Sequence, residues 1–152
     1  MVKESFFYVL ILASLAGCAP REGAEIRAKG DGFELRVDGK PTYIKGIGGT
    51  NRPDIAAANG ANACRTWGGD AKSIRKTSDL AAEHGMYVMQ GIWLPKEAEK
   101  YSDEKFKEEM RAFCRATAEE FKDDPNILVW GIGNEVELSG TNNGAVWGFI
   151  DE

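Results

Sequence analysis

The stretch NILVWGIGNEVEL, residues 126–138, decides how the chain is read. From Ile127 to Ile132 it is apolar or glycine at every position, the pattern of a strand covered on both faces in a parallel sheet. It then runs without a break into Asn134 and Glu135. Strand alternation puts Val129, Gly131, Gly133 and Glu135 on one side, and Trp130, Ile132 and Asn134 on the other. The glycine side offers nothing to pack, so it is expected to clear space beneath Glu135 while Trp130 and Ile132 meet helices.

Upstream, the chain repeats a strand-and-helix order. Gly30-Asp31-Gly32 and Asp38-Gly39-Lys40 are turn signals between short alternating runs, which predicts a small hairpin system feeding a strand at Tyr43 to Ile47. ANACRTWGG reads as a short strand ending at glycines. Asp70 can cap a helix running to His84, with Gly85 at its left-handed end, and MYVMQGIW is a further strand. A longer helix is predicted from Asp103 to Lys122. Phe106, Met110, Phe113, Thr117 and Phe121 share one face of it, and Pro125 stops any continuation.

Strands alternating with helices imply parallel pairing and right-handed crossovers, hence the α/β class. Periodicity leaves a closed barrel and an open sheet nearly even. The short strand cores and the Gly-rich, Trp-containing loops favour a (β/α)8 TIM barrel, truncated to about its first four β/α units. Glu135 would then stand at the C-terminal ends of the strands, where barrel enzymes place their chemistry. Trp67, Trp93 and Trp147 each follow one of three successive strands. Flat aromatic faces gathered there suit sugar rings, with core packing as the plainer use of any one of them. Arg65 closes its strand on the same rim, in a largely uncharged stretch, which predicts a buried partnership with a carboxylate.

Composition narrows the function classes. With 43% hydrophobic and 28% charged residues the chain is of ordinary globular type, and one compact domain is expected. A net charge of -5 with scattered Lys and Arg sets nucleic acid aside. His84 is the one histidine, placed at a helix end away from the rim. Ser-His-Asp chemistry and a His-based metal site are therefore not expected, and no cofactor or metal is called for.

The N-terminus reads as a leader. Residues 1–17 combine a short polar start with an apolar run from Phe6 to Leu15, too short to span a bilayer as a mature helix. Leu15-Ala16-Gly17-Cys18 resembles the lipobox of bacterial lipoproteins, which implies lipid on Cys18, membrane attachment through it, and a place at the bacterial cell envelope, on the outer membrane or cell surface. The alternative is an ordinary signal peptide cut elsewhere. Residues 18–24 would be a tether and 25–152 the folded part. Cys64 and Cys114 could be two buried thiols or a bridge.

FELRVDGKPTYIKGIGG, ANACRTWG, AAEHGMYVMQGIWLP and DDPNILVWGIGNEVE resemble, in order, the first four strands of the catalytic barrel of family 2 glycoside hydrolases and their wider clan of retaining β-glycosidases. The likeness spans about Phe33 to Glu137, and the Asp-Pro-Asn opening followed by Trp and Asn-Glu is its specific part. The resemblance implies that Glu135 is the general acid/base, that Asn134 holds the sugar 2-hydroxyl, and that Arg65 supports the nucleophile. A retaining enzyme needs a second carboxylate about 5 to 5.5 Å away. The resemblance places it on a seventh strand, outside this chain. Glu137 is a poor substitute, since both carboxylates would hang from one strand end. The expectation is thus a hydrolase of O-glycosyl bonds acting on an oligo- or polysaccharide, incomplete and inactive as it stands. The alternatives are a β-glucan transglycosylase using the same residues and a lipid-anchored carbohydrate-binding protein without turnover.

Overall fold

The computed structural model describes residues 23–137 and 144–152. The described residues build two sheets. The first is antiparallel, in the order β1-β2-β3, from β1 (Ala24–Lys29), β2 (Gly32–Val37) and β3 (Lys40–Pro41). Its second hairpin turns through Asp38 and Gly39, with φ of 49° and 71°, the pair of left-handed residues that matches strand twist in a two-residue turn.

The second sheet is parallel, in the order β4-β5-β6-β7: β4 (Gly46–Gly48), β5 (Ala63–Arg65), β6 (Tyr87–Ile92) and β7 (Ile127–Ile132). The connections carry helices α1 (Pro53–Ala58), α2 (Ala71–Glu83) and α3 (Glu104–Phe121), and α4 (Gly144–Asp151) follows β7. A single 3-10 turn, Ala98–Ser102, precedes α3. The expected TIM-barrel architecture is therefore corrected. β4 and β7 are opposite edges of an open four-stranded sheet, beside a separate three-stranded antiparallel sheet. Closure requires the last strand to return to the first with consistent tilt and stagger. The molecule is a small α/β domain.

The two predicted long helices form where their caps stand. Asp70 accepts from the Ser73 backbone N–H at 2.8 Å, and Asp103 accepts from that of Lys105 at 2.9 Å. Gly85 follows α2 with φ 65°. The inward row of α3 runs Phe106, Met110 and Cys114, partly buried, then Thr117 and Phe121, buried, while Phe113 is 43% exposed. Cys114 thus takes the place predicted for Phe113.

The strand expected at Tyr43 to Ile47 shortens and shifts to Gly46–Gly48. The Asn62 side chain serves the residues before it, accepting from Lys45 N at 2.7 Å and donating to Tyr43 O at 2.9 Å. That amide stands in for a strand neighbour.

Two apolar clusters hold the parallel sheet to its helices. One joins Cys64, Ala81, Met86 and Val88, with Ile47 and Ile127 against it. The other joins Leu94, Tyr101, Val136, Val146 and Phe149, and so ties α4 and the 3-10 turn to the ends of β6 and β7. Cys64 and Cys114 are both free thiols, and burial pushes each above the usual thiol range. Cys18 lies outside the described residues.

Candidate active site

Ligands of open parallel α/β sheets bind outside the carboxyl ends of the strands. Five of the sequence-predicted residues lie at that rim: Arg65 ends β5, Trp67 and Trp93 follow β5 and β6, and Asn134 and Glu135 follow β7.

The backbone fixes these positions by close packing. A Cβ on Gly91 would fall 2.5 Å from the Trp67 carbonyl carbon and 2.6 Å from Thr66 O. Only glycine lets the chain leaving β5 lie this close to β6, and the Gly91 N–H donates to Thr66 Oγ1 at 3.1 Å. The Trp67 ring lies over the end of β4, 3.5 Å from where a side chain on Gly48 would begin. Both indoles stay open to solvent, Trp67 at 42% and Trp93 at 46%.

The face assignment around Glu135 changes. Alternation stops at Ile132, because Gly133 has φ 74° and a Cβ there would meet Val136 Cγ1 at 2.9 Å. Gly133 therefore admits the turn, and Val136 fills the space beneath it. Glu135 itself is left-handed, at φ 51°, a conformation that costs a non-glycine residue about 1 kcal/mol or more. Such strain is typical of residues whose side chain is aimed for a purpose. Val136 anchors the turn, since it is buried in the second cluster. Ile132 faces a small cavity against Arg111, Cys114 and Phe149 rather than a fully packed helix.

Hydrogen bonds then link the rim across the strands. Arg65 Nη2 donates to Asn134 Oδ1 at 3.0 Å, and the guanidinium carbon is 5.9 Å from the Trp67 ring centre. Arg65 is exposed and its partner is an amide, which corrects the buried carboxylate pairing expected for it. A guanidinium only donates, so it fixes the carbonyl side of Asn134 towards itself. The Asn134 NH2 is left to donate elsewhere.

Lys96, which sequence reasoning passed over, holds Glu135. Its Nζ lies 3.2 Å from Glu135 Oε2 and 5.5 Å from the Trp93 ring centre. Lys96 sits in Leu94-Pro95-Lys96-Glu97, and its place three residues after Trp93 on the same rim was the available signal. The Glu135 side chain is 58% exposed, with a cation beside it instead of the enclosed apolar setting that a general acid has in the free enzymes where it is best known.

Trp147 comes from a different kind of element. It lies on α4, half exposed, and among the described residues it shares no hydrogen bond or ring contact with the rim group. It follows β7, as expected, on a helix whose buried side is Val146 and Phe149.

The Asp-Pro-Asn opening of β7 belongs to the other end of the sheet. Asp124, its side chain 3% exposed, accepts from Ser78 Oγ at 2.8 Å, from the Asn126 N–H at 3.0 Å and from Arg75 at 3.1 Å. It clamps α2 to the entry of β7. His84 caps the end of α2, as a helix terminus allows, and takes no part in the rim.

At the rim the chain thus offers two flat indole faces, an oriented amide donor, a carboxylate and two cations. No described helix is long and apolar enough to cross a membrane. The described residues include no cluster of three His, Cys, Asp or Glu side chains fit to hold a metal. No protein-family model matches the chain, and no curated protein does.

Proposed function

We propose that the rim at the ends of β5, β6 and β7 binds saccharide, and that the protein acts on O-glycosyl bonds as a retaining β-glycosidase does, with Glu135 as acid and base. The observation that carries this is the meeting of Trp67, Trp93, Arg65, Asn134 and Glu135 from three strands at one rim. The likeness of DDPNILVWGIGNEVE to family 2 glycoside hydrolases supports the same roles.

In this reading a sugar ring stacks on an indole, and Asn134 Nδ2 donates to a ring hydroxyl. Glu135 gives its proton to the leaving oxygen as the glycosidic bond breaks, then takes one from the incoming water. A bound sugar covering Trp93 would displace water from the turn that carries Glu135. The attacking carboxylate of that mechanism has no assignment among the described residues. Transfer to a second sugar instead of water would use the same groups.

The exposed ion pair of Glu135 with Lys96 favours a second reading, a carbohydrate-binding protein without turnover. Kinetics separate the two. For an enzyme, Glu135→Gln lowers kcat/KM on a glycoside with a poor leaving group by about 10²–10⁴, and affects a nitrophenyl glycoside less, because that leaving group needs no proton. Equal rates for the variant and the parent on the poor substrate would remove Glu135 from the chemistry. Binding without turnover in the parent protein would select the second reading. Product analysis distinguishes hydrolysis from transglycosylation.

We also propose lipid anchoring at Cys18 in the bacterial envelope, supported by the LAGC sequence at residues 15–18. Loss of incorporated fatty acid in Cys18→Ser is the expected result, and unchanged incorporation would refute it.

A further inference from the structure

We infer that the apolar face of the β1–β2 hairpin docks on the surface of a lipid bilayer, and that this contact turns the rim at the ends of β5 to β7 away from the membrane. The inference rests on the lipid at Cys18. In the register of β1 and β2, Ala24, Ile26 and Ala28 stand opposite Val37, Leu35 and Phe33, so these six share one face of the hairpin. Val37 is buried, but Ile26 is 72% and Phe33 81% exposed. The opposite face carries Glu25, Arg27, Lys29, Glu34 and Arg36, which pair among themselves. Beyond β3 the chain adds Tyr43, 81% exposed, and Ile44. With Phe33 and Leu35 they line an open hollow of about 600 Å³. Contiguous exposed apolar surface of this kind marks an interaction site.

Tether length and charge point to a bilayer as its cover. Cys18 lies six residues before Ala24, so lipid there holds the start of β1 within about 20 Å of the membrane surface. Tethering raises the local concentration of hairpin and bilayer to roughly millimolar. A patch too small to hold a membrane from free solution then suffices, since such binding grows with apolar area and with attraction to anionic lipid. Between Gly23 and Lys45 the chain has five Lys and Arg against four Asp and Glu, whereas the whole carries -5. Lys40 and Lys45 bracket the segment that presents Tyr43 and Ile44. Both are exposed, and neither pairs with a carboxylate of the described residues, which suits anionic phospholipid headgroups. A tyrosine ring favours the same boundary between headgroup and hydrocarbon. The orientation follows from the connection: β3 ends at Pro41 and β4 begins at Gly46, so the hairpin joins the parallel sheet where its strands start, opposite the rim. Trp67, Trp93 and Glu135 are thereby left facing outward.

The test reconstitutes the lipid-bearing protein, extracted from bacterial membranes, in vesicles of phosphatidylethanolamine and phosphatidylglycerol, with and without bromine on the acyl chains, and follows tryptophan fluorescence. Phe33→Trp puts a reporter on the apolar face. An interfacial side chain lies roughly 5–10 Å into the headgroup and acyl boundary, so bromine should quench this variant roughly twofold more than the parent, whose rim indoles face away. The excess should fall in vesicles of phosphatidylcholine alone, which lack the anionic headgroup. Equal quenching of variant and parent, with fatty acid present on Cys18, would overturn the docking and leave the lipid anchor standing. A blue-shifted emission in the variant without bromine quenching would show that a second copy or another segment covers the face, and would overturn the docking too. Absence of fatty acid on Cys18 would overturn both.

Discussion

At the residue scale, the chemistry-bearing side chains were legible because each breaks a local pattern. Glu135 and Asn134 interrupt an apolar run, and Arg65 is a charge in an uncharged stretch. Lys96 broke no pattern, being one lysine in a polar segment, and only its place three residues after Trp93 pointed towards its hold on Glu135 at 3.2 Å. The left-handed backbone at Glu135 was not readable, because alternation assumes that the strand continues and Gly133 ends it. Gly91 offers the sharpest residue-level test. Gly91→Ala must move the Thr66-Trp67 backbone, which lies 2.5–2.6 Å from the new methyl, at a cost of about 1–3 kcal/mol. Urea unfolding should show that loss together with weaker sugar binding. Parent-like stability and binding would mean that the close approach does not position Trp67.

At the element scale, capping chemistry made α2 and α3 readable, whereas α1, the 3-10 turn and α4 were not predicted. α1 has six residues, beginning with Pro53, too few for a helical period to register. Placement of β4 was missed because a distant side chain, Asn62, replaces a strand partner. The Asp-Pro-Asn opening, prominent in the sequence resemblance, works at the element level. Asp124→Ala strips acceptors from Ser78 Oγ and the Asn126 N–H, both part-buried, and is expected to destabilise by about 1–3 kcal/mol. Saccharide binding by the remaining folded protein should be unaffected. A change in affinity without a change in stability would contradict this purely structural role.

Tyr101 gives the second elemental prediction. It is buried, packs edge-on to Phe106 at 5.3 Å, and donates to Pro95 O at 2.6 Å. Burial first, then the Glu97 charge, pushes its phenol up from 10.0 to about 12. The unfolded chain therefore loses this proton before the folded one, and its contribution to stability is whole below pH 10 and lost between pH 10 and about 12. Thermal melts should fall across that window, and Tyr101→Phe should fall less steeply. Parallel pH curves for the two proteins would refute the linkage.

At the scale of the whole molecule, the α/β class followed from alternating strands and helices, and barrel closure did not. Periodicity reports the kind and order of elements, while curvature and strand number depend on how sheets pair and stagger. The hairpins that seemed to feed the parallel sheet form a sheet of their own. Arg65, Met89 and Val129 are register partners across β5, β6 and β7, and all three are exposed, so this row on the parallel sheet stays open to solvent below the rim. The chain has 4 tryptophans: Trp67 and Trp93 at the rim, Trp130 within β7 and Trp147 on α4. Their indole N–H signals can be followed in an NMR titration with an oligosaccharide. Shifts of the Trp67 and Trp93 indoles, assigned through Trp67→Phe and Trp93→Phe, with Trp147 unmoved, are the outcome expected of a saccharide rim at the ends of β5 to β7. Shifts at Trp147 alone, or at none of the four, would show that sugar is not bound there.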